Sequence, residues 1–271
     1  MSNIVASLRT NSEKTYGTMA IVFGVLLWGL TGLAVWSEVK MANSQVLGFL
    51  TLYLVYGIMI WLGYLIAGVI YRATAFGNMI LLSPNQFPQL YEMVDTGAKE
   101  LGLSPTPATF LYNSNGLFNA FARRLMGGRY VFLTSALVEA NDDEQVRFVV
   151  GHELGHHAAG HLNPWLNFLK APAHAVPFLM PAYSRAREYS CDSIGAYLSK
   201  DPVASRSALQ MLGCGCRRLN NAMSCQDFVA QEAMVPPVAG FIAEIFRSHP
   251  RLTRRVAAIR DSAPSRSARG S

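Results

Sequence analysis

Charged side chains are scarce in this chain. They make up 15% of its 271 residues, where soluble domains usually carry roughly 25%. Cysteine is scarce too: Cys191, Cys214, Cys216 and Cys225 contain no paired C-x-x-C, which excludes a knuckle-type structural zinc site. "CGC" places two thiols too close for an ordinary disulfide, so the four read as small buried residues of a reducing compartment. There is no internal repeat, no helix-turn-helix pattern and no basic stripe interleaved with aromatics. The net charge of +6 therefore gives no reason to expect nucleic acid, and attraction to anionic lipid headgroups is its more natural use.

The missing charge is concentrated in two places. Residues 16–36 read "YGTMAIVFGVLLWGLTGLAVW" and residues 46–71 read "VLGFLTLYLVYGIMIWLGYLIAGVIY", both without a single charge. Each exceeds the ~20 residues that carry a helix across a ~30 Å hydrocarbon layer. Trp36, Trp61, Tyr64 and Tyr71 lie at or near the ends, where amphipathic rings favour the interface. The first run is longer than a signal peptide's apolar core, and no small-x-small cleavage site follows it. The expectation is a transmembrane hairpin with both ends of the chain on one side. Arg9, Lys14 and Arg72 flank the spans against Lys40 alone in the connecting loop, which favours the cytoplasm for that side.

Beyond the hairpin, "SPNQFPQLYEMVDTGAKELGLSP" has apolar residues at Leu90, Met93, Val94 and Leu101 with Gly102 after them, the pattern of a helix. "ATFLYNSNGLFNAFA" and "GGRYVFLTSALVEA" read as two or three short strands turning at Gly127–Gly128. A helix with Asn141 as its N-cap should follow, with Asp142, Asp143 and Glu144 complementing its dipole. Residues 162–183 are apolar but broken by four prolines, which suits a loop or a re-entrant segment with Lys170 snorkelling to the surface. A helical pattern resumes at Ser184, and residues 261–271 have a disordered composition. The whole predicts a mainly helical α+β fold: a membrane anchor over 1–79, a second domain with a small sheet over 80–260, and a tail.

Four of the six histidines fall in "VVGHELGHHAAGH". His152, Glu153 and His156 form H-E-x-x-H, whose histidines lie about 40° apart on a helix and can meet one zinc, with the glutamate beside a water at the metal. His157 and His161 lie about 140° and 180° round from His152. They are expected to be surface or interface groups, and the third histidine of a metzincin site is out of register. A third ligand must come from elsewhere. "SRAREYSCD" offers Glu188 and Asp192 on one helical face, either as metal-site carboxylates or as a solvated pair bridged to Arg185 or Arg187.

"GHELGHHAAGH", "SRAREYSCD" and "SHPRLTRR", with "FNAFA" and "VFLTSALVE" ahead of them, resemble in order the HtpX-like and CAAX-prenyl-protease group of membrane zinc metallopeptidases, which are gluzincins. The resemblance covers roughly residues 80 to 260. It implies one Zn²⁺ per chain held by His152, His156 and Glu188, with Glu153 as catalytic base and Asp192 in support. It further implies that His249 and Arg255 stabilise the oxyanion, and that Asn119, Ala120 and Phe121 lie on an edge strand that binds extended substrate. HtpX proteins carry two further spans before the third ligand, and here that interval is short. CAAX prenyl proteases have more spans than this chain holds, so prenylated substrates are not expected.

The function so implied is a zinc metalloendopeptidase of the inner membrane with its catalytic domain in the cytoplasm. Its substrates would be proteins or peptides, misfolded membrane proteins among them. The alternatives are a membrane-anchored scaffold with a structural zinc, or a module that binds anionic surfaces.

Overall fold

A computed structural model describes residues 3–41 and 44–261. The expected disordered tail, apart from Asp261, lies outside these residues. A short helix α1 (Asn3–Leu8) leads into α2 (Asn11–Lys40), and α3 (Ser44–Asn78) follows. Among the described residues, α2 and Leu47–Asn78 of α3 are the two single helices long and apolar enough to cross a membrane. Both run past the bounds expected from their uncharged cores, because their polar flanks remain helical. Thr10 caps α2, its hydroxyl accepting from the Glu13 backbone N–H at 3.3 Å.

α2 buries one narrow line of mostly small residues, Glu13, Gly17, Ala20 and Gly24. A Cβ at Gly24 would lie 2.1 Å from the Leu169 carbonyl oxygen, so only glycine allows that approach. Most of the surface of its uncharged run, Leu26, Leu30 and Leu33 included, is exposed and apolar, as lipid contact requires. α3 stands mostly apart. Near its far end Tyr71 and Phe76 meet Phe132 and Phe110 edge-on, with centroids 5.5 and 5.1 Å apart.

The sheet that receives them has the order β1-β2-β4-β3: β1 (Ile80–Leu81), β2 (Ala108–Tyr112), β3 (Ala120–Leu125) and β4 (Gly128–Thr134). β2 and β4 are parallel, and the other pairs are antiparallel. β3 and β4 form a hairpin through Met126 and Gly127, both at positive φ (47° and 82°), the geometry a two-residue hairpin turn requires. β3 is therefore an edge strand. β1 is too short to leave a sequence pattern.

α4 (Pro88–Glu100) buries Met93 and Val94 as expected, and α5 (Ser135–Ala140) links the sheet to α6 (Asp143–Ala158). The N-cap of α6 is Asp142, not Asn141. Asp142 accepts from the Gln145 N–H at 2.8 Å while the Gln145 side chain accepts from the Asp142 N–H at 3.1 Å, a reciprocal box that Asn141 is one residue too early to make. Asn141 instead donates to the Leu137 carbonyl, closing α5.

Residues 162–183 are more regular than their prolines suggested. α7 (Pro164–Lys170) and a 3-10 turn (Ala171–Ala175) precede α8 (Leu179–Ser199), which starts ahead of Ser184 because Pro181 sits in its first turn, where a missing N–H costs nothing. α7 and the turn lie along α2, with Trp28 stacked on Phe168 at 4.8 Å. Lys170 does not snorkel. It is buried and donates to the Tyr183 hydroxyl at 2.8 Å.

α6 and α8 pack closely enough that a Cβ on Gly195 would come within 2.6 Å of the Phe148 carbonyl oxygen. Val146, Val150 and Leu154 of α6 join Ile194 and Leu198 of α8 and Val131 and Leu133 of β4 in the main core. α9 (Pro202–Cys214), α10 (Arg217–Asn221), α11 (Cys225–Ala230), a 3-10 turn (Gln231–Met234), α12 (Pro237–Ile245) and α13 (Leu252–Ala258) complete the chain. Val256 and Ile259 pack with Phe148, Ala208 and Leu209. Of the four free thiols only Cys191 is fully buried; Cys216 is exposed and the other two are half-buried.

Candidate metal centre

The close crossing of α6 and α8 brings His152 and His156 opposite Glu188. Their ligand atoms lie within 4.8 Å of one another. His152 Nε2 is 3.6 Å from one Glu188 oxygen and His156 Nε2 is 3.7 Å from the other. These separations are too long for hydrogen bonds. They fall close to the ~3.3 Å between ligand atoms held ~2.0–2.1 Å from one tetrahedral metal. Glu188 is buried, and the groups nearest its carboxylate, Arg255 Nη1 and the histidines, stand 3.5 to 3.7 Å away. Three buried carboxylates, Glu153, Glu188 and Asp192, face one permanent cation, Arg255. The donors and the excess of negative charge both fit a bound Zn²⁺.

Asp192, one turn beyond Glu188, accepts from His152 Nδ1 at 2.9 Å. That fixes the tautomer that leaves His152 Nε2 free to ligate. Arg255 grips the same carboxylate with both arms of its fork, Nε to Oδ2 at 2.8 Å and Nη2 to Oδ1 at 2.7 Å, and its Nη1 lies 3.5 Å from Glu188. Burial pushes the Asp192 carboxyl up, but Arg255 and His152 outweigh it and hold it at about 2. Among the described residues, Glu153 makes no ion pair of this kind. Burial and the nearby Glu188 carboxylate push it up to about 7, against the opposing pull of His152 and the Ala122 backbone.

His249 stands on the open side, its side chain 65% exposed and its Nε2 3.7 Å from Glu188. Asn119 precedes β3, and its carbonyl accepts from the Thr134 N–H at 3.1 Å. Ala120 begins the edge strand, and Phe121 stacks on Phe132 at 4.9 Å within the sheet. The backbone group facing Glu153 is that of Ala122, which sequence reasoning missed.

His157 and His161 are not surface groups. His157 is buried under the sheet and donates Nε2–H to the Tyr130 carbonyl at 3.0 Å, and burial lowers its pKa to about 4. His161, 1% exposed, follows the end of α6 and the positive-φ Gly160, and packs between His156 and Glu13. α6 is enclosed by β3, α8 and α9, so a histidine facing away from the metal still meets protein.

The fold and this site define a membrane-anchored zinc metalloendopeptidase of the gluzincin type. The chain belongs to peptidase family M48, whose model matches residues 84–167 and 164–263. It is 28% identical to a protease HtpX homolog of Gemmatimonas aurantiaca, covering 87% of this chain and 96% of that protein. It is 25% identical to the plastoglobule-localized metallopeptidase 48 of Arabidopsis thaliana, over 57% of this chain and 48% of that one. The crystal structure of S. mikatae Ste24p superposes with a TM-score of 0.51 at 17% identity, over 75% of this chain and 56% of that one, a likeness of fold.

Proposed function

We propose that His152, His156 and Glu188 hold the zinc and that Glu153 is the general base. The observation that carries this is the convergence of three ligand atoms beside a buried glutamate that, among the described residues, makes no ion pair of its own. When bound, zinc supplies a Lewis acid that polarises a peptide carbonyl and acidifies a water. Glu153 would accept a proton from the attacking water and return it to the leaving amine, a role suited to a carboxyl whose pKa is pushed towards neutrality. His249, exposed and close to Glu188, donates to the oxyanion. Arg255 adds positive charge through Nη1 and, through Asp192, keeps His152 oriented. An extended substrate pairs with the free edge of β3 along Asn119, Ala120 and Phe121, beside the Ala122 backbone that faces Glu153.

In this reading residues 1–79 anchor a catalytic domain over 80–260 to the inner membrane, with the active site on the cytoplasmic side. Misfolded or surplus membrane proteins are the proposed substrates. A closed structural zinc site would have no use for Glu153 or for an open flank at His249. The test uses full-length protein in detergent with an unfolded protein such as casein. Zinc in both wild type and Glu153→Gln, with chelator-sensitive cleavage in wild type alone, is the expected result. Cleavage by Glu153→Gln would refute the base assignment.

A further inference from the structure

Beyond His156 runs a line of side chains that peptide hydrolysis does not use. His156 Nδ1 lies 3.1 Å from His161 Nδ1, and His161 Nε2 lies 2.9 Å from a Glu13 carboxylate oxygen. Arg9 donates to that same oxygen through Nε at 2.9 Å and Nη2 at 2.6 Å. His161 and Glu13 are 1% and 0% exposed, so water cannot replace either of them.

The protons along this line can be placed in one consistent way. If His156 gives Nε2 to a metal, its Nδ1 carries the hydrogen and donates to His161 Nδ1. The remaining His161 proton must then be on Nε2, where it meets a carboxylate already paired with Arg9. Each member donates outward, and the line ends on a charge. Asp192 does the same for His152 in a single step. The difference lies in where the line ends. Glu13 belongs to the first turn of α2, the first membrane helix, and that turn is fastened to α8 by the Thr10 N–H donating to Ser190 Oγ at 2.9 Å.

We propose that His161 and Glu13 are positioning residues of the metal centre, so that a membrane-spanning helix supplies the charged end of the line behind the His156 ligand. This rests on His156 being a zinc ligand. The anchor is then part of the active site. Any displacement of α2 relative to α8 would be felt at His156.

The test uses full-length protein in detergent, with zinc affinity read by chelator competition and the ligand field read from the Co²⁺-substituted absorption spectrum. His161→Phe and Glu13→Ala are expected to lose about 10–100-fold in zinc affinity, the range for outer partners of metal-bound histidines. Both should also shift the cobalt bands. Glu13→Gln keeps the shape and an acceptor oxygen, and should lose less. Melting of the metal-free proteins separates this from a structural role: lower melting temperatures with zinc affinity within twofold of wild type would overturn the proposal, and Glu13→Gln decides it should the other two not fold. Two metals per chain in wild type, falling to one in Cys191→Ala, would also overturn it, because His156, His161 and Cys191 would then hold a second ion. If wild type binds no zinc, the peptidase reading fails first. If wild type binds and cleaves while the variants keep their affinity, only this inference fails.

Discussion

Arg255 offers the sharpest quantitative test of the centre's electrostatics. Its side chain and that of Asp192 are 7% and 2% exposed, and the pair is joined by two hydrogen bonds of 2.7 and 2.8 Å. Arg255→Leu leaves Asp192 buried with His152 as its remaining partner. Removing one member of a buried pair costs about 3–5 kcal/mol, whereas removing both charges can be close to neutral. At roughly 2–4 °C per kcal/mol for a chain of this size, the melting temperature of the metal-free variant should fall by about 6–20 °C. Arg255→Leu with Asp192→Asn should recover most of that loss, because the asparagine oxygen still accepts from His152 and the Asp192 charge is no longer stranded. The pH dependence has a definite sign. Asp192 titrates lower in the folded protein, at about 2, than its ordinary 3.8, so its stabilisation is complete above about pH 4 and lost as pH falls towards 2. The deficit of Arg255→Leu should therefore be largest at neutral pH and shrink in acid. The assay is thermal unfolding in detergent with chelator present. A single variant within about 1 kcal/mol of wild type at pH 7, or a double variant no better than the single, would refute the reasoning.

Other sites give independent checks. Gly195→Ala drives a methyl into the Phe148 carbonyl. It should destabilise by about 1–3 kcal/mol or more and weaken zinc binding, because the α6–α8 crossing sets the distance from Glu188 to the histidines; unchanged zinc affinity would count against that link. Ala122→Pro removes the backbone N–H beside Glu153 on an edge strand that tolerates proline. KM should rise severalfold while zinc content stays at wild-type level, as steady-state kinetics and metal analysis would show. Because the base must be ionised, cleavage should fall on the acid side through the Glu153 ionisation. That lies near 7 without metal, and nearby positive charge at the loaded site moves it lower. A rate independent of pH from 5 to about 7.5 would speak against this base.

Much of the site was legible because its parts carry local signals. The spacing of His152, Glu153 and His156 needs a regular helix and nothing more. Glu188 and Asp192 share a face of α8 whatever that helix packs against. The positions that went astray depend on partners far away in the chain. Helical angles turn His157 and His161 away from His152, but they say nothing of what covers the far side of α6. For His157 that is Tyr130 of β4, and for His161 it is Glu13, 148 residues away. Lys170 was misread for the same reason, since Tyr183 waits for it across a proline-broken turn. Ala122 was missed because it works through its backbone, where residue type leaves no trace.

The contact of Glu13 with His161 also sets a height. Glu13 is three residues before Tyr16, where the uncharged run of α2 begins, a rise of about 4.5 Å along the helix. Higher on α2, α7 rests against Trp28, within that run. The Glu13 end of the line behind His156 therefore lies within about one helical turn of the level at which the uncharged run of α2 begins, which ties the edge of the site to the anchor's point of entry. A polypeptide emerging from the bilayer beside α2 gains about 3.3 Å per extended residue, and reaches the level of Glu13 after a few residues. In the proposed reading, reach from the membrane surface would be one limit on where such a chain is cut.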